Sequence, residues 1–296
     1  MAIQGQAKKR IRFIINPISG GKNKQHLPQR IMKQLDQKTI QPEIFFSGSQ
    51  DQTRVLTQEA IDLELDAVIA VGGDGTINDL GSCLVNTNVA LGIIPMGSGN
   101  GLARSLHIPM SLSAAIDVIN RFEIRKIDAG QVNETCFFNL AGVGFDAKIA
   151  HLFKYSVKRG FWNYTKLVLS EFRNFNPSHY AMLIDEIPFE TDAFLISVCN
   201  GNQFGNHALI APNADLNDGL LNVIILQKCG ILEVPKLAWQ LFNGTIEKSK
   251  HVKSIPLTRL EFKNFQSNQL HLDGEPIIMD KPLVFTILPS ALNVIC

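Results

Sequence analysis

The chain has 296 residues, of which 45% are hydrophobic and 19% charged, the balance of a folded, water-soluble protein with room for two domains. Twenty-eight basic residues stand against 27 acidic ones, a formal net charge of +1, so there is no global field to gather polyanions and nucleic acid is excluded as a dedicated partner. The apolar runs, such as Leu220 to Leu226, fall far short of the roughly 20 residues that cross a bilayer, and residues 8–15 are too short for a signal-peptide core, so the expected location is cytoplasmic. Cys83, Cys136, Cys199, Cys229 and Cys296 are scattered without a Cys-x-x-Cys pair, and the seven histidines form no His-x-x-x-His array. Any metal is therefore expected to be a hard cation held by oxygen.

The first 130 or so residues alternate short apolar runs with amphipathic stretches. Ile11 to Ile15, Glu43 to Phe46, Ala67 to Val71 and Ala90 to Ile94 read as buried parallel strands. Between them Leu56, Ala60 and Leu63 share a helical face, as do Ile77, Leu80 and Leu84, and then Leu112, Ile116 and Ile119. This repeat predicts an α/β layer fold.

Three of the predicted strands run into glycine-rich turns: Asn16-Pro17-Ile18-Ser19-Gly20-Gly21, Gly72-Gly73-Asp74-Gly75-Thr76, and Pro95-Met96-Gly97-Ser98-Gly99-Asn100-Gly101. Each glycine alone is compatible with an ordinary strand-to-helix corner. Three such corners on one edge of a parallel sheet suit phosphate, because bare backbone amides and helix N-termini can approach it. Neither a G-x-G-x-x-G after a strand nor a G-x-x-x-x-G-K-[ST] is present. Asp74 inside the second cradle would repel a polyphosphate unless Mg²⁺ or a transferable proton intervened, which points to chemistry at the phosphate; the alternative is an Asp turn bonding its own backbone.

After Asp128 the texture changes to β-like segments: Phe137 to Leu140, Ala193 to Val198, Leu220 to Leu226, Leu257 to Phe262 and Leu270 to Leu272. These predict a mostly antiparallel second domain, interrupted by a helical insertion from Ala147 to Phe175 that carries Lys154, Tyr155, Lys158, Arg159, Phe161, Trp162, Tyr164 and Lys166. The loop Ala211 to Leu220 offers aspartates and backbone oxygens to a hard cation. His271-Leu272-Asp273-Gly274-Glu275-Pro276 sets two carboxylates around a glycine, a pattern equally suited to a hairpin turn or to handling the proton of an acceptor alcohol.

Taken in order, Asn16-Pro17 with Ser19-Gly20, the run Gly72 to Asn78, Pro95 to Arg104, Asp128-Ala129-Gly130, Asn139 to Gly144, Asp218-Gly219-Leu220 and Asp273-Gly274-Glu275-Pro276 resemble the diacylglycerol kinase catalytic-domain family of bacterial lipid kinases, diacylglycerol kinases and sphingosine kinases. The resemblance runs nearly end to end. It implies an α/β N-terminal nucleotide-binding domain of the NAD kinase and diacylglycerol kinase type (residues 1–128, completed by 283–296), a mostly antiparallel β-sandwich-like second domain (129–282), and an active site in the cleft between them. It implies ATP contacts at Asn16, at Ser47 in place of the usual Thr, at Gly72, Gly73, Asp74, Gly75, Thr76, Ile77 and Asn78, and at Gly97 and Ser98. Glu275 matches the family's proton acceptor, with Asp74 as the competing candidate. Asp74 and Asp128 would organise Mg²⁺ and water at the phosphates, and Asp215, Asp218 and the Leu220 carbonyl would match a second, structural Mg²⁺ site.

The activity implied is transfer of the ATP γ-phosphoryl group to the hydroxyl of a lipid, with diacylglycerol and sphingoid-like acceptors both open. Many bacterial members have Asn-Asp in the third turn where this chain has Asn100-Gly101. A NAD kinase-like enzyme with a soluble acceptor and a non-catalytic nucleotide or lipid sensor stand as alternatives. A lipid kinase draws its substrate from a membrane, so transient, peripheral membrane contact is expected. The insertion then has two readings, an amphipathic helix covering the second sheet or a surface helix on which Trp162 and its basic neighbours touch headgroups. A homodimer through the α/β sheet edge is compatible with this reading.

Overall fold

The computed structural model describes residues 7–19, 24–154, 161–264, 267–279 and 282–296. They form two compact units, one of residues 1–127 with 290–296 and one of 128–289.

In the first unit β1 (Lys9–Ile15), α1 (Leu27–Gln34), β2 (Ile40–Phe46), α2 (Gln50–Asp62), β3 (Ala67–Gly72), α3 (Asp74–Leu84), β4 (Ala90–Pro95), α4 (Gly101–Ser105) and α5 (Leu112–Arg121) follow one another. The strands pair in parallel in the order β2-β1-β3-β4. β3 and β4 are buried along their whole length, as expected for strands covered on both faces. β2 is not: it is an edge strand, half-exposed beyond Ile40, and it carries Pro42, which an edge tolerates. Its Glu43 takes a 2.8 Å ion pair from Arg12 of β1, a polar duty that a fully buried strand would not have. Leu63 likewise departs from expectation, because it is the C-cap residue of α2 and is 49% exposed; the buried face of that helix is Thr53, Leu56, Thr57 and Ala60. The faces Ile77-Leu80-Leu84 and Leu112-Ile116-Ile119 are buried.

The second unit begins within β5 (Ile124–Val132) and continues with β6 (Thr135–Phe137), β7 (Leu140–Gly144), α6 (Phe145–Lys154), α7 (Phe161–Phe172), β8 (Ser178–Ile184), β9 (Ile187–Ala193), β10 (Leu195–Cys199), β11 (Leu221–Leu226), α8 (Val234–Phe242), β12 (Val252–Leu257), β13 (Arg259–Asn264), β14 (Gln269–Leu272), β15 (Glu275–Ile278) and β16 (Leu283–Ile295). One antiparallel sheet runs β12-β11-β10-β7-β14-β15, and in a second β13 lies between β16 and β8, with β9 beyond and β5 and β6 on the other side of β16. Ala141, Val143, Ile196, Val223 and Leu270 of the first share a core with Phe137, Tyr180, Phe262 and Phe285 of the second. Two antiparallel faces closing on one core make a β-sandwich. The last residues of β16 return to the first unit, where Val294 pairs in parallel with Leu91.

Three segments expected as single strands are each divided. Phe137 to Leu140 breaks at Phe138 and Asn139, Ala193 to Val198 at Phe194, and Leu257 to Phe262 at Thr258, because at each place the chain passes from one sheet of the sandwich to the other. The Phe194 amide donates to the Leu226 carbonyl at 2.7 Å, and at the other two crossings a carboxylate takes up the amides. Asp273 accepts from Phe138, Asn139 and Leu140 at 3.0, 2.8 and 3.0 Å, and Asp185 from Thr258 and Arg259 at 3.0 and 2.8 Å. Against the opposing effect of burial, the Thr258 hydroxyl at 2.8 Å and these two amides hold the Asp185 carboxyl below its ordinary range. The insertion is two helices, and its described part packs inward, with Leu167, Val168, Phe172 and Phe175 against Phe145, Ile149, Phe194 and Leu195. Tyr155, Lys158 and Arg159 lie outside the described residues, as do the side chains of Lys154, Phe161, Trp162 and Tyr164.

Gly130 of the Asp-Ala-Gly motif pairs with Phe137, and a Cβ there would come within 2.2 Å of the Phe137 ring. Gly130→Ala is expected to push that ring off the shared core and lower the unfolding free energy by about 1–3 kcal/mol. Urea denaturation checks this, and an unchanged midpoint would contradict the packing described.

Candidate functional site

In the first unit β1, β3 and β4 end level with one another, Ile15 opposite Val71 and Gly72 opposite Pro95, so the three turns leave one edge of the parallel sheet. The second and third turns meet backbone to backbone. A Cβ on Gly73 would lie 3.1 Å from the Cα of Gly97, and one on Gly97 would lie 2.7 Å from the Cα of Gly73 and from Asn100 Oδ1. A side chain is excluded by space at Gly97, and at Gly73 one would be crowded against the facing backbone.

Asp74 opens α3, and its carboxylate fastens the third turn: Oδ2 accepts from the Asn100 amide at 2.8 Å and Oδ1 from the Gly101 amide at 2.7 Å. This Asp therefore bonds across to the third turn. It caps the start of α4, where a helix has amides without internal acceptors. Asn100 sits in the left-handed region, with φ 52°, and clasps Gly97 in both directions, accepting from its N–H and donating to its carbonyl, each at 2.9 Å. The first and second turns are joined by Asn16, whose Nδ2 donates to Thr76 Oγ1 at 3.1 Å.

Among the expected nucleotide contacts, Asn16, Gly72, Gly73, Asp74, Thr76 and Gly97 are thus gathered by direct contact or hydrogen bond, with Gly75 in the first turn of α3. Ser98 is exposed at the tip of the third turn. Ile77 is 2% exposed and its amide closes a 3.0 Å bond to the Gly73 carbonyl, so it serves the packing of α3. Asn78 accepts from Ser82 Oγ further along the same helix. Ser47 is buried, with its hydroxyl donating to the Ser49 carbonyl at 2.8 Å and 2.5 Å from Thr53 Oγ1, where it helps start α2. Gly20 and Gly21 lie outside the described residues.

Lys24 was not singled out by the sequence, where it shares a glycine- and asparagine-rich stretch with Lys22 and nothing in the spacing separates the two. It is 4% exposed; its ammonium donates to the Asn16 carbonyl at 2.6 Å and also to Ser19 Oγ, pinning the first turn. Burial pulls its pKa from 10.5 to about 8.

In the second unit the remaining motifs form one hydrogen-bonded network. Asp128 is 1% exposed, its amide donates to the Leu216 carbonyl at 2.6 Å, and its Oδ2 accepts from Gly219 at 2.8 Å. Asn200, another residue to which the sequence lent no signal, donates to the carbonyls of Asp128 and Phe138 at 2.9 and 2.8 Å. Asp273 completes the chain by binding the amides of residues 138–140. Asp273 and Gly274 have φ of 49° and 86° and join β14 to β15 as a two-residue hairpin of the primed type, so the Asp-Gly-Glu motif is a hairpin turn. Glu275, next in the chain, is exposed opposite Leu272.

Behind this hairpin lies a buried polar cluster. His271 Nδ1 accepts from the Gly274 amide at 3.4 Å, and its Nε2 stands 3.3 Å from Asp146 Oδ2, which also accepts from Ser197 Oγ at 2.9 Å. His271, Asp146 and Ser197 are all buried. Gly142 makes room for them, since a Cβ there would fall 2.1 Å from Asp146 Oδ2 and 2.6 Å from His271 Nε2. Burial, with the Asp146 charge adding to it, pushes the nearby Tyr180 phenol up to about 12.

The loop expected to hold a structural cation has Asp215 Oδ1 accepting from Asn217 at 3.1 Å and Asp218 Oδ1 accepting from Leu220 at 2.9 Å, both side chains being exposed. Among the described residues no group of three or more His, Cys, Asp or Glu is arranged to hold a metal ion. Two carboxylates and main-chain carbonyls are nevertheless an oxygen donor set of the kind Mg²⁺ takes while keeping several of its waters. Also among the described residues, no helix is long and apolar enough to cross a membrane.

Comparison with known proteins follows this division. A family model described as the diacylglycerol kinase catalytic domain matches residues 10–132, and one described as the YegS C-terminal NAD kinase β-sandwich-like domain matches residues 139–296. The chain is 31% identical over 274 residues to a diacylglycerol kinase of Bacillus subtilis (strain 168), covering 90% of each. It is 32% identical over 243 residues to a probable lipid kinase YegS-like of Enterobacter sp. (strain 638), covering 80% of each. In fold it is similar to the crystal structure of a diacylglycerol kinase from Bacillus anthracis str. Sterne, with a TM-score of 0.75, 18% identity, and 97% of this chain and 96% of that one covered.

A buried lysine that loses its proton at about pH 8 when folded and at about 10.5 when unfolded gives a signed prediction. Between those values the unfolded chain binds more protons, so stability rises with pH. The unfolding free energy of the wild type is expected to climb across this window relative to Lys24→Met, measured by urea denaturation at a series of pH values. Parallel curves would show that Lys24 is not held as described. With both matched regions and the β-sandwich in agreement, the chain belongs to the lipid kinase family that joins a diacylglycerol kinase catalytic domain to a YegS-type C-terminal domain.

Proposed function

We propose that the chain is an ATP-dependent, Mg²⁺-requiring lipid kinase that transfers the γ-phosphoryl group to a lipid hydroxyl. The observation that carries this reading is the contact of Gly73 with Gly97, which leaves two main-chain corners bare at the edge of a parallel sheet. Amides at such corners and at the start of α3 can bind the anionic oxygens of a polyphosphate without a side chain in the way. In this reading Asn16, Gly72, Gly73, Gly75, Thr76, Gly97 and Ser98 hold the nucleotide, with Ser47, Ile77 and Asn78 shaping the turns from behind.

The two acids then separate by role. Asp74 has each oxygen accepting a main-chain amide within 2.8 Å and acts as a strut that sets the third turn. Glu275 is exposed at the end of a rigid hairpin and receives the proton of the acceptor hydroxyl. Mg²⁺ would be held by Asp215, Asp218 and the Leu220 carbonyl as a structural ion, and Asp128 would orient water for a cation at the phosphates; the bound cation would neutralise phosphate charge. The relatives named diacylglycerol kinase favour diacylglycerol as acceptor, while Gly101 in place of the family acid leaves a sphingoid-like lipid in contention.

The test is incubation with Mg²⁺, radiolabelled ATP and a total lipid extract, followed by identification of the labelled product. A phosphorylated lipid is expected, and Glu275→Gln is expected to lower turnover by about 10²- to 10⁴-fold with an unchanged melting temperature. Label appearing only in a soluble dinucleotide, or nucleotide binding with no transfer, would overturn the reading. Near wild-type turnover in Glu275→Gln would remove Glu275 from the reaction.

A further inference from the structure

α8 of the second unit is apolar on two sides. Toward the protein lie Gln240, which is buried, the half-buried Val234 and Leu237, and Leu241, which packs against the small core of Leu140, Cys199, Ile210 and Ile224. A second set of apolar residues faces water: Trp239 is 63% and Phe242 47% exposed, and Ile231 and Leu232, in the short 3₁₀ turn that leads into the helix, are 60% and 92% exposed. Leu232, Pro235, Trp239 and Phe242 are spaced by three, four and three residues, which places them along one stripe. Scattered exposed apolar residues need no explanation, but a continuous stripe with a tryptophan in it marks a contact surface.

Lysines border the stripe. Between Lys228 and Lys253 the chain has five lysines against two glutamates, in a protein whose charges otherwise nearly cancel. Three of them, Lys236, Lys248 and Lys250, line a pocket of about 280 Å³ together with His251, Ser249 and a single acid, Glu233. That acid is already matched, its Oε1 lying 3.0 Å from Lys250 Nζ and 3.1 Å from His251 Nε2. The other glutamate of the segment, Glu247, is occupied by Asn213 and Ser254.

From this juxtaposition we infer that α8 and the turn before it form a docking surface for an anionic lipid bilayer, with Leu232, Trp239 and Phe242 entering the boundary between headgroups and acyl chains and the Lys236-Lys248-Lys250 pocket receiving a phosphate headgroup. An interfacial helix needs an apolar stripe flanked by cations, and lysine stems reach back from such a stripe to the headgroup level. A second copy of the chain fits less well, because a symmetric contact centred on this stripe would set lysines against lysines. The inference names a surface of this chain and is independent of which hydroxyl is phosphorylated, since it concerns binding without ATP.

Sedimentation of the full-length chain with sucrose-loaded vesicles tests it, using phosphatidylcholine alone and phosphatidylcholine mixed with phosphatidylglycerol. The wild type is expected to prefer the mixed vesicles and to release them in high salt. The double variant Leu232→Ser, Trp239→Ala is expected to weaken binding at least ~10-fold, from the apolar area withdrawn, and Lys236→Glu by about 5-fold or more on anionic vesicles only. The chain's other tryptophan can be removed by Trp162→Phe, so that Trp239 emission reports its own environment; a blue shift on adding mixed vesicles is expected. Unaltered binding by both variants, or Trp239 emission insensitive to vesicles, would overturn the inference. So would a wild-type dimer, seen by ultracentrifugation, that Trp239→Ala converts to monomer. Each readout is separate from kinase activity, so a failed lipid kinase assay and a failed docking surface are distinguishable.

Discussion

The contact between Gly73 and Gly97 constrains everything around it. Two chain reversals, each leaving the end of a parallel strand, come so close that a methyl group on Gly97 would overlap the Gly73 backbone and one on Gly73 would be crowded by Gly97. With side chains removed, what remains on that surface is main-chain N–H and C=O. The carboxylate of Asp74 converts the proximity into a fixed geometry by holding the amides of Asn100 and Gly101, and Asn100 returns two bonds to Gly97. Asn16 and Lys24 tie the remaining turn to the same corner. A site of this construction recognises charge and shape with little reorganisation, which is what phosphoryl transfer asks of a protein.

The second unit solves a different problem with similar means. Its chain crosses repeatedly between two sheets, and a crossing takes amides out of the ladder that must be paired elsewhere. Asp273 and Asp185 satisfy two of these crossings, and Asn200 bridges the carbonyls of Asp128 and Phe138. Residues spread from Asp128 to Glu275 are therefore one network, and the hairpin that presents Glu275 is braced at Asp273 by the backbone of residues 138–140 and at Gly274 by the buried His271–Asp146–Ser197 cluster. In the proposed role of proton acceptor, Glu275 would gain from being carried on a braced element.

Much of this was legible from periodicity and glycine. The strands Ala67 to Val71 and Ala90 to Ile94, the helical face of Ile77, Leu80 and Leu84, and the three corners follow from local rules that the fold obeys. What was not legible depends on partners distant in sequence. Nothing near Asp74 announces that its acceptor duty lies 26 and 27 residues away. The exposure of β2 comes from its place at the sheet edge, and the split of residues 137–140 from a switch of sheets that an unbroken apolar run conceals. Nothing in the spacing marks Lys24, and only the fold shows it buried. α8 drew no reading from the sequence, and only the fold shows that Trp239 and Phe242 face outward while Gln240 and Leu241 face in.

Calorimetric titration with ATP and with adenosine tests whether bare main chain at the Gly73–Gly97 contact makes a polyphosphate site. The wild type is expected to bind ATP more tightly than adenosine, and Gly97→Ala, still folding cooperatively, to lose most of that difference. Equal affinity of the wild type for the two ligands, or an unaltered preference for ATP in Gly97→Ala, would contradict it.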